Sequence, residues 1–248
     1  MKYMGSKSRH AKEILAVIAP YRKEGQAWVE PFVGGANMID KVDTPLRIGG
    51  DFNEYVIALY RALQSGWVPP DKLTKEEYVH YREHKERYDK ALMGYVGFMC
   101  SYSGKWFGGF AGVTNTKEGV RDYILEANRN MSKQLPLIRD VMFFNSSYDE
   151  LPFPDGSLIY CDPPYEGTTK YRDAFDHDKF WQWCRDKSNE GHTVFVSEYN
   201  APADFACMWE KRVNSSLSAN GVSGGNKQST EKLFVYIPQL LRDGIRQT

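Results

Sequence analysis

Long apolar runs are missing from this chain. No stretch approaches the ~20 residues that a membrane-spanning helix needs, and the first residues hold no signal-peptide h-region. A cytoplasmic location without a membrane partner is therefore expected. Cysteine is scarce as well. Cys100, Cys161, Cys184 and Cys207 stand apart, with no C-x-x-C pair and no histidine cluster nearby. That argues against a disulfide framework and a structural zinc, and no metal is expected. Net charge is also lacking: 32 basic and 32 acidic residues cancel, which argues against a histone-like binder but leaves room for a local basic face. Neither the dinucleotide fingerprint G-x-G-x-x-G nor the P-loop G-x-x-x-x-G-K-[ST] occurs, and there is no internal repeat.

What is present suits one large core, or one core with a smaller insertion, in 248 residues. Aromatics reach 14%, and several sit in glycine-rich loops, where each ring needs something to stack on or bury against.

Along the chain, residues 6–19 read as a short helix capped by Ser6 or Ser8 and stopped by Pro20. "AWVEPF" (27–32) reads as a strand, Gly34-Gly35 as a turn, and the following Met38, Ile39 and Val42 as a helix. "LRIGGDF" (46–52) is a second strand, and Val56, Leu59, Tyr60 and Leu63 share one helical face. Strand, glycine turn, helix and a strand with an acidic end open a nucleotide-binding βαβ unit. Residues 66–136 break this pattern and read as a mainly helical insertion. It holds one long helix or a pair, the loop "CSYSGKWFGGFAGVTN", and a polar helix over 121–135 that ends before Pro136. Alternation then resumes. "VMFFNSS" (141–147), "SLIYCDPPY" and "HTVFVSEY" read as strands, "HDKFWQWCRDKSNEG" and "PADFACMWEK" as helices, and the tail as two strands joined by a polar loop. The expected fold is thus α/β: a mixed sheet formed by 1–65 and 137–248, with a C-terminal antiparallel hairpin and the 66–136 insertion.

Three constellations carry chemistry. In "VEPFVGGAN" the paired glycines are either plain turn residues or a place where backbone approaches a ligand closely. Asp51 closes the next strand, where an acidic residue either accepts from the two ribose hydroxyls of an adenosine-containing cofactor or caps the helix beginning near Asn53. In Asp162-Pro163-Pro164-Tyr165, the Asp162 oxygens and the Pro163 carbonyl offer acceptors at fixed positions for both protons of a planar amine. Tyr165 adds a face for stacking a flat base.

Taken together and in order, "KYMGSK", "VEPFVGGA" and "DPPY" make the chain resemble the Dam-type DNA adenine-N6 methyltransferases, over nearly its whole length. The tail segments "SSLSANG" and "TEKLFVY" are similar to that family's closing hairpin. The resemblance implies a Rossmann-like S-adenosylmethionine-dependent methyltransferase, double-stranded DNA as partner, a monomer or weak dimer, and residence in a prokaryotic or phage-infected cell. It implies that Tyr3 and Lys7 contact S-adenosylmethionine, that Glu30, Pro31, Phe32, Gly34 and Gly35 line its methionine end, and that Asp51 holds its ribose. Asp162 then belongs to both the cofactor and the catalytic set, the latter completed by Pro163, Pro164 and Tyr165.

The loop around Ser101, Tyr102, Ser103, Lys105, Trp106 and Phe107 corresponds to the family's DNA-reading hairpin, although "CSYSGKWFGG" lacks the Arg-Tyr-Asn pattern of GATC-recognising members. Arg121 and Arg129, with Lys133, are expected on phosphates, and Asn220 in the tail loop on the backbone. Trp106 or Phe107 is a candidate wedge where an adenine leaves the stack, with packing of the insertion as the alternative. Methylation of cytosine N4 or of RNA adenine, and a DNA-binding decoy without catalysis, are the rival functions.

Overall fold

Helix starts follow their capping residues. Asn53 accepts from the amides of Tyr55 and Val56, Thr74 and Glu77 form a reciprocal capping box, and Asp122 and Asp176 accept from the first turns they precede. The computed structural model describes residues 1–166, 175–215 and 227–242. In chain order its regular elements are α1 (Ala11–Ile18), β1 (Trp28–Glu30), β2 (Arg47–Asp51), α2 (Glu54–Gln64), α3 (Lys75–Glu83), α4 (Lys90–Gly94), β3 (Val113–Thr116), β4 (Gly119–Asp122), α5 (Tyr123–Ile138), β5 (Met142–Asn145), β6 (Leu158–Cys161), α6 (His177–Asn189), β7 (Thr193–Glu198), β8 (Phe205–Ser215), β9 (Lys227–Tyr236) and α7 (Ile237–Arg242). No helix among the described residues is long and apolar enough to cross a membrane. Nor do the described residues hold a group of three or more His, Cys, Asp or Glu arranged for a metal ion.

Two compact units divide the chain, Met1–Ala11 with Phe32–Leu151 and Lys12–Pro31 with Pro152–Thr248. In the first, β2 and β5 pair in parallel from Ile48↔Met142 to Asp51↔Asn145. The apolar stripe of α2 (Val56, Ile57, Leu59, Tyr60 and Leu63) is buried, and Tyr60 stacks on Phe143 with ring centroids 4.6 Å apart. Helix α4 runs into a buried π-helical turn, Tyr95–Met99.

In the second unit the strand order is β1-β6-β7-β9-β8. β1, β6 and β7 are parallel, while β9 is antiparallel to both β7 and β8. Every residue of β6 and β7 is buried, as expected of strands covered on both faces. Phe180, Trp181, Trp183 and Cys184 form the buried side of α6. The α/β class, the mixed sheet and the closing antiparallel hairpin therefore stand as the sequence suggested.

Three local expectations need correction. No helix follows Gly34-Gly35: Gly34 and Ala36 both take positive φ (43° and 53°), and only the short 3-10 turn Ile39–Lys41 forms. Residues 202–211 do not form a helix; from Phe205 they belong to β8, whose register Phe205↔Tyr236 to Ser215↔Lys227 carries one irregularity at Cys207/Trp209. Ladder pairing with β9 there outweighs local helix propensity. Arg121 lies in β4 rather than in the polar helix, and that helix continues through Pro136 to Ile138. The aromatic loop is closed by an antiparallel bridge between Ser101 and Phe110, and the β3–β4 pair follows it, with Val113 opposite Asp122 and Thr116 opposite Gly119.

Candidate functional site

Of the expected cofactor residues, Tyr3, Lys7, Phe32, Gly34, Gly35 and Asp51 lie in the first unit, while Glu30, Pro31 and Asp162 lie in the second. Val33 N–H donates to the Gly50 carbonyl (2.8 Å), and Gly34 N–H donates to Asp51 Oδ2 (3.0 Å). Asp51 Oδ1 accepts from Asn53 N–H at 2.9 Å. Each carboxylate oxygen thus keeps one lone pair beyond the amide it already accepts from, an acceptor set suited to two vicinal hydroxyls. Burial pushes the Asp51 carboxyl up from 3.8 to about 6, against the lowering effect of the Asn53 and Gly34 amides. Asp51 does not itself cap α2; it orders Asn53, which does.

The glycines are required by the chain's own packing. A Cβ on Gly34 would stand 2.9 Å from the Tyr3 ring; one on Gly35 would overlap the Asn37 amide and stand 2.9 Å from the Met1 carbonyl. The Tyr60 hydroxyl donates to the Gly34 carbonyl. Gln134 Nε2, from α5, donates to the Ala36 carbonyl at 2.8 Å and to Asp40 at 2.9 Å. Neither residue stood out in the sequence, where each reads as an ordinary helical position. Tyr3 packs on Phe98 (5.1 Å), and Lys7 is buried, its Nζ 3.5 Å from the Gly5 carbonyl. Phe32 stacks on Tyr148 (5.6 Å). Beside Asp51, Phe52 is 79% exposed and offers a flat apolar face that sequence reading missed.

The aromatic loop folds back on this unit. Trp106 is half-buried among Tyr55, Phe98 and Phe107 at 4.7, 4.8 and 4.8 Å, and its ring fills the space a Gly97 side chain would need. Phe107, at φ 43°, packs on buried Tyr78 (5.4 Å). Packing is therefore what these two rings do here, rather than standing out as wedges. Ser101 is fully buried, and its hydroxyl is 2.8 Å from that of Tyr78. Arg121 is held by Glu126 through two bonds of 2.9 and 2.7 Å. Tyr102, Ser103 and Lys105 are exposed, as are Arg129 and Lys133, one turn apart on α5. Asn220 lies outside the described residues.

The second unit positions the DPPY segment. β6 lies between parallel β1 and β7, so Asp162 emerges at the carboxyl end of a central buried strand, where open α/β sheets bind ligands. Pro163 is buried and Asp162, Pro164 and Tyr165 are half-buried. Behind them the Tyr160 hydroxyl lies 2.7 Å from Ser197 Oγ. At the end of β1, buried Glu30 accepts from Trp28 Nε1 (2.7 Å), and Pro31, which follows it, is also buried. Tyr165 directs its hydroxyl to Glu231 Oε2 (2.8 Å), and Tyr199 meets its ring edge-on at 4.6 Å. Burial, with Asp162 and Glu231 nearby, raises the Tyr165 phenol well above its ordinary range, so it stays a neutral donor. Glu198, 2% exposed, accepts from the amides of Glu166 (3.1 Å) and Tyr199 (2.6 Å). Glu198 and Glu231 were missed; the only signal was a charged residue closing the apolar run "HTVFVS" and another within "TEKLFVY".

An acidic strand end thus stands beside a glycine turn in the first unit, and a DPPY segment at a strand's carboxyl end in the second. The chain belongs to the D12 class of N6 adenine-specific DNA methyltransferases, whose family model matches residues 3–202. It is similar to the Retron Ec67 DNA adenine methylase of Escherichia coli, 23% identical over 271 residues that cover 94% of this chain and 89% of that one. Among solved structures, a putative RNA methyltransferase from Pyrococcus horikoshii shares 10% identity at a TM-score of 0.43, over 95% of this chain and 87% of its own. A putative methylase from Haemophilus influenzae shares 10% identity at a TM-score of 0.36, over 94% and 99%.

Proposed function

We propose that this protein transfers the methyl group of S-adenosylmethionine to the N6 amino group of adenine in double-stranded DNA, within a short recognised sequence. The observation that carries the reading is the Asp162–Tyr165 segment leaving the buried end of β6, in a chain of the D12 class. The lone pairs left on Asp51 support a ribose there, and the Gly34 turn, Tyr3 and Lys7 complete the cofactor's holding residues. Bound, S-adenosylmethionine supplies an electrophilic methyl on a sulfonium centre.

The remaining work falls to the chain. Adenine's amino lone pair is delocalised into the ring, so the nitrogen is a poor nucleophile. Asp162 and the Pro163 carbonyl accept hydrogen bonds from its two N–H groups, draw the nitrogen toward tetrahedral geometry and aim its lone pair outward. Transfer is an in-line displacement, so positioning carries much of the rate, and the Asp162 carboxylate stabilises positive charge developing on nitrogen. The base is flipped from the duplex at a cost of a few kcal/mol. Tyr165 recovers ~1–3 kcal/mol of this by stacking. Exposed Arg129, Lys133 and Lys105 neutralise phosphates, and Tyr102 and Ser103 with the β3–β4 hairpin form the face that meets DNA. A cytoplasmic setting in a prokaryotic or phage-infected cell follows from such a substrate.

The test is transfer of labelled methyl from S-adenosylmethionine to unmodified genomic DNA. Label in DNA adenine supports the reading. Label in cytosine or only in RNA overturns it in favour of that rival, and no binding of S-adenosylmethionine at all overturns it in favour of the decoy.

A further inference from the structure

The two prolines strip the DPPY segment of backbone donors. Between Asp162 and Glu166 only Asp162, Tyr165 and Glu166 carry an N–H, so the Glu166 amide is the first donor beyond the stacking ring. That amide goes to Glu198 Oε2 at 3.1 Å, while Glu198 Oε1 takes the Tyr199 amide at 2.6 Å. Glu198 closes β7, a strand buried throughout, and is itself 2% exposed. A carboxylate so placed needs donors for both oxygens, and these two amides supply them. One strand over, Glu231 of β9 accepts the Tyr165 hydroxyl at 2.8 Å. Tyr199, whose amide Glu198 holds, sets its ring edge-on to Tyr165. Backbone and ring of the segment are thus gripped by carboxylates from neighbouring strands.

We propose that Glu198 and Glu231 are positioning residues: Glu198 fixes the backbone after Tyr165 and Glu231 fixes the ring. Ionised Glu198 is required for the grip, so methyl transfer weakens as that carboxylate protonates. This rests on the methyltransferase reading above. Around Glu198 stand Asp162 at the end of β6, Glu166 in the loop after it, and Lys232, its register partner on β9, with Glu231 next to that lysine. Burial is the main influence raising Glu198, the two amides oppose it, and Asp162 and Glu166 add to it; its titration therefore falls near neutrality, at about 7. Once protonated, the group has one oxygen committed as a hydroxyl donor, facing amides that themselves donate.

Glu198→Gln keeps the volume but turns an NH2 toward one of those amides. Its kcat should fall roughly ten- to hundredfold, the scale of a small misplacement of reacting groups. KM for DNA and cofactor affinity should change far less, and the acid limb near pH 7 should disappear from the pH–rate profile. A second readout needs no activity: exchange of the Glu166 amide in the protein without cofactor should speed up in the variant, and in the wild type as pH falls from 8 to 6 relative to intrinsic exchange. Wild-type kcat and pH profile in Glu198→Gln, or unchanged amide exchange, overturns the proposal. If the wild-type protein methylates nothing, the functional reading fails, and amide exchange alone decides whether Glu198 grips the segment.

Discussion

Gly34 and Asp51 are joined by a hydrogen bond of 3.0 Å from the glycine amide to the carboxylate, which closes the turn between residue 33 and the end of β2. The same carboxylate orders Asn53, the cap of α2. One acidic side chain thus fixes the shape of the turn and retains acceptors for a ligand. Asp51→Ala should weaken S-adenosylmethionine binding about ten- to hundredfold, the loss of one or two charge-assisted hydrogen bonds. Calorimetry checks this, and wild-type affinity in the variant removes Asp51 from the site.

The Asp51 titration gives a signed pH dependence. Its carboxyl is raised from 3.8 to about 6 in the folded protein, so its contribution to stability is full below ~4 and declines as pH rises through about 6. Cofactor affinity runs the other way, because the ionised carboxylate accepts the hydroxyls, and should drop as pH falls below about 6. Against Asp51→Asn, the wild type's relative unfolding free energy should diminish between pH 4 and pH 7, as read from urea midpoints.

Gly35→Ala tests the turn itself. The new Cβ would overlap Asn37 and crowd the Met1 carbonyl, and both neighbours are held by other bonds. A loss of about 1–3 kcal/mol is expected. An unchanged urea midpoint would show that the turn yields easily.

Trp106→Ala separates packing from wedging. With its ring among Tyr55, Phe98 and Phe107, truncation should cost about 2–3 kcal/mol, somewhat below the value for a fully buried tryptophan. Unchanged stability with altered sequence preference would instead assign the ring to DNA.

Arg129→Ala and Lys133→Ala should each weaken DNA binding evenly across sequences and reduce the slope of log affinity against log salt by about one. Arg121→Ala should change that slope less, since Glu126 already holds its guanidinium. An equal effect at all three positions would contradict the ion pair as a constraint.

The sequence made the periodic elements legible: α2 by its apolar stripe, β6 and β7 by unbroken apolar runs, and the end of β6 by Pro163. What escaped it depended on partners distant in the chain. β8 is a strand because β9 lies beside it, although "PADFACMWEK" begins like a helix. The bend at Gly34 and Ala36 leaves no room for a helix that the apolar spacing of Met38, Ile39 and Val42 permits. Within the candidate site, Asp51 and DPPY were readable because a carboxylate or a proline pair at a strand end is locally unusual. Glu198, Glu231, Tyr60 and Gln134 were not, because each acts on a residue at least 26 positions away, across a turn or sheet the sequence does not display. The burial of Ser101 was hidden for the same reason, since only the fold brings the Tyr78 hydroxyl to it.

The central claim is best tested by sequencing unmodified DNA for N6-methyladenine after reaction with the wild type and with Asp162→Ala, side by side. The account predicts modified adenines sharing one flanking sequence for the wild type. For the variant it predicts a rate lower by at least ~100-fold, with cofactor and DNA binding retained. Equal methylation by the variant, or modification of a base other than adenine, would contradict it.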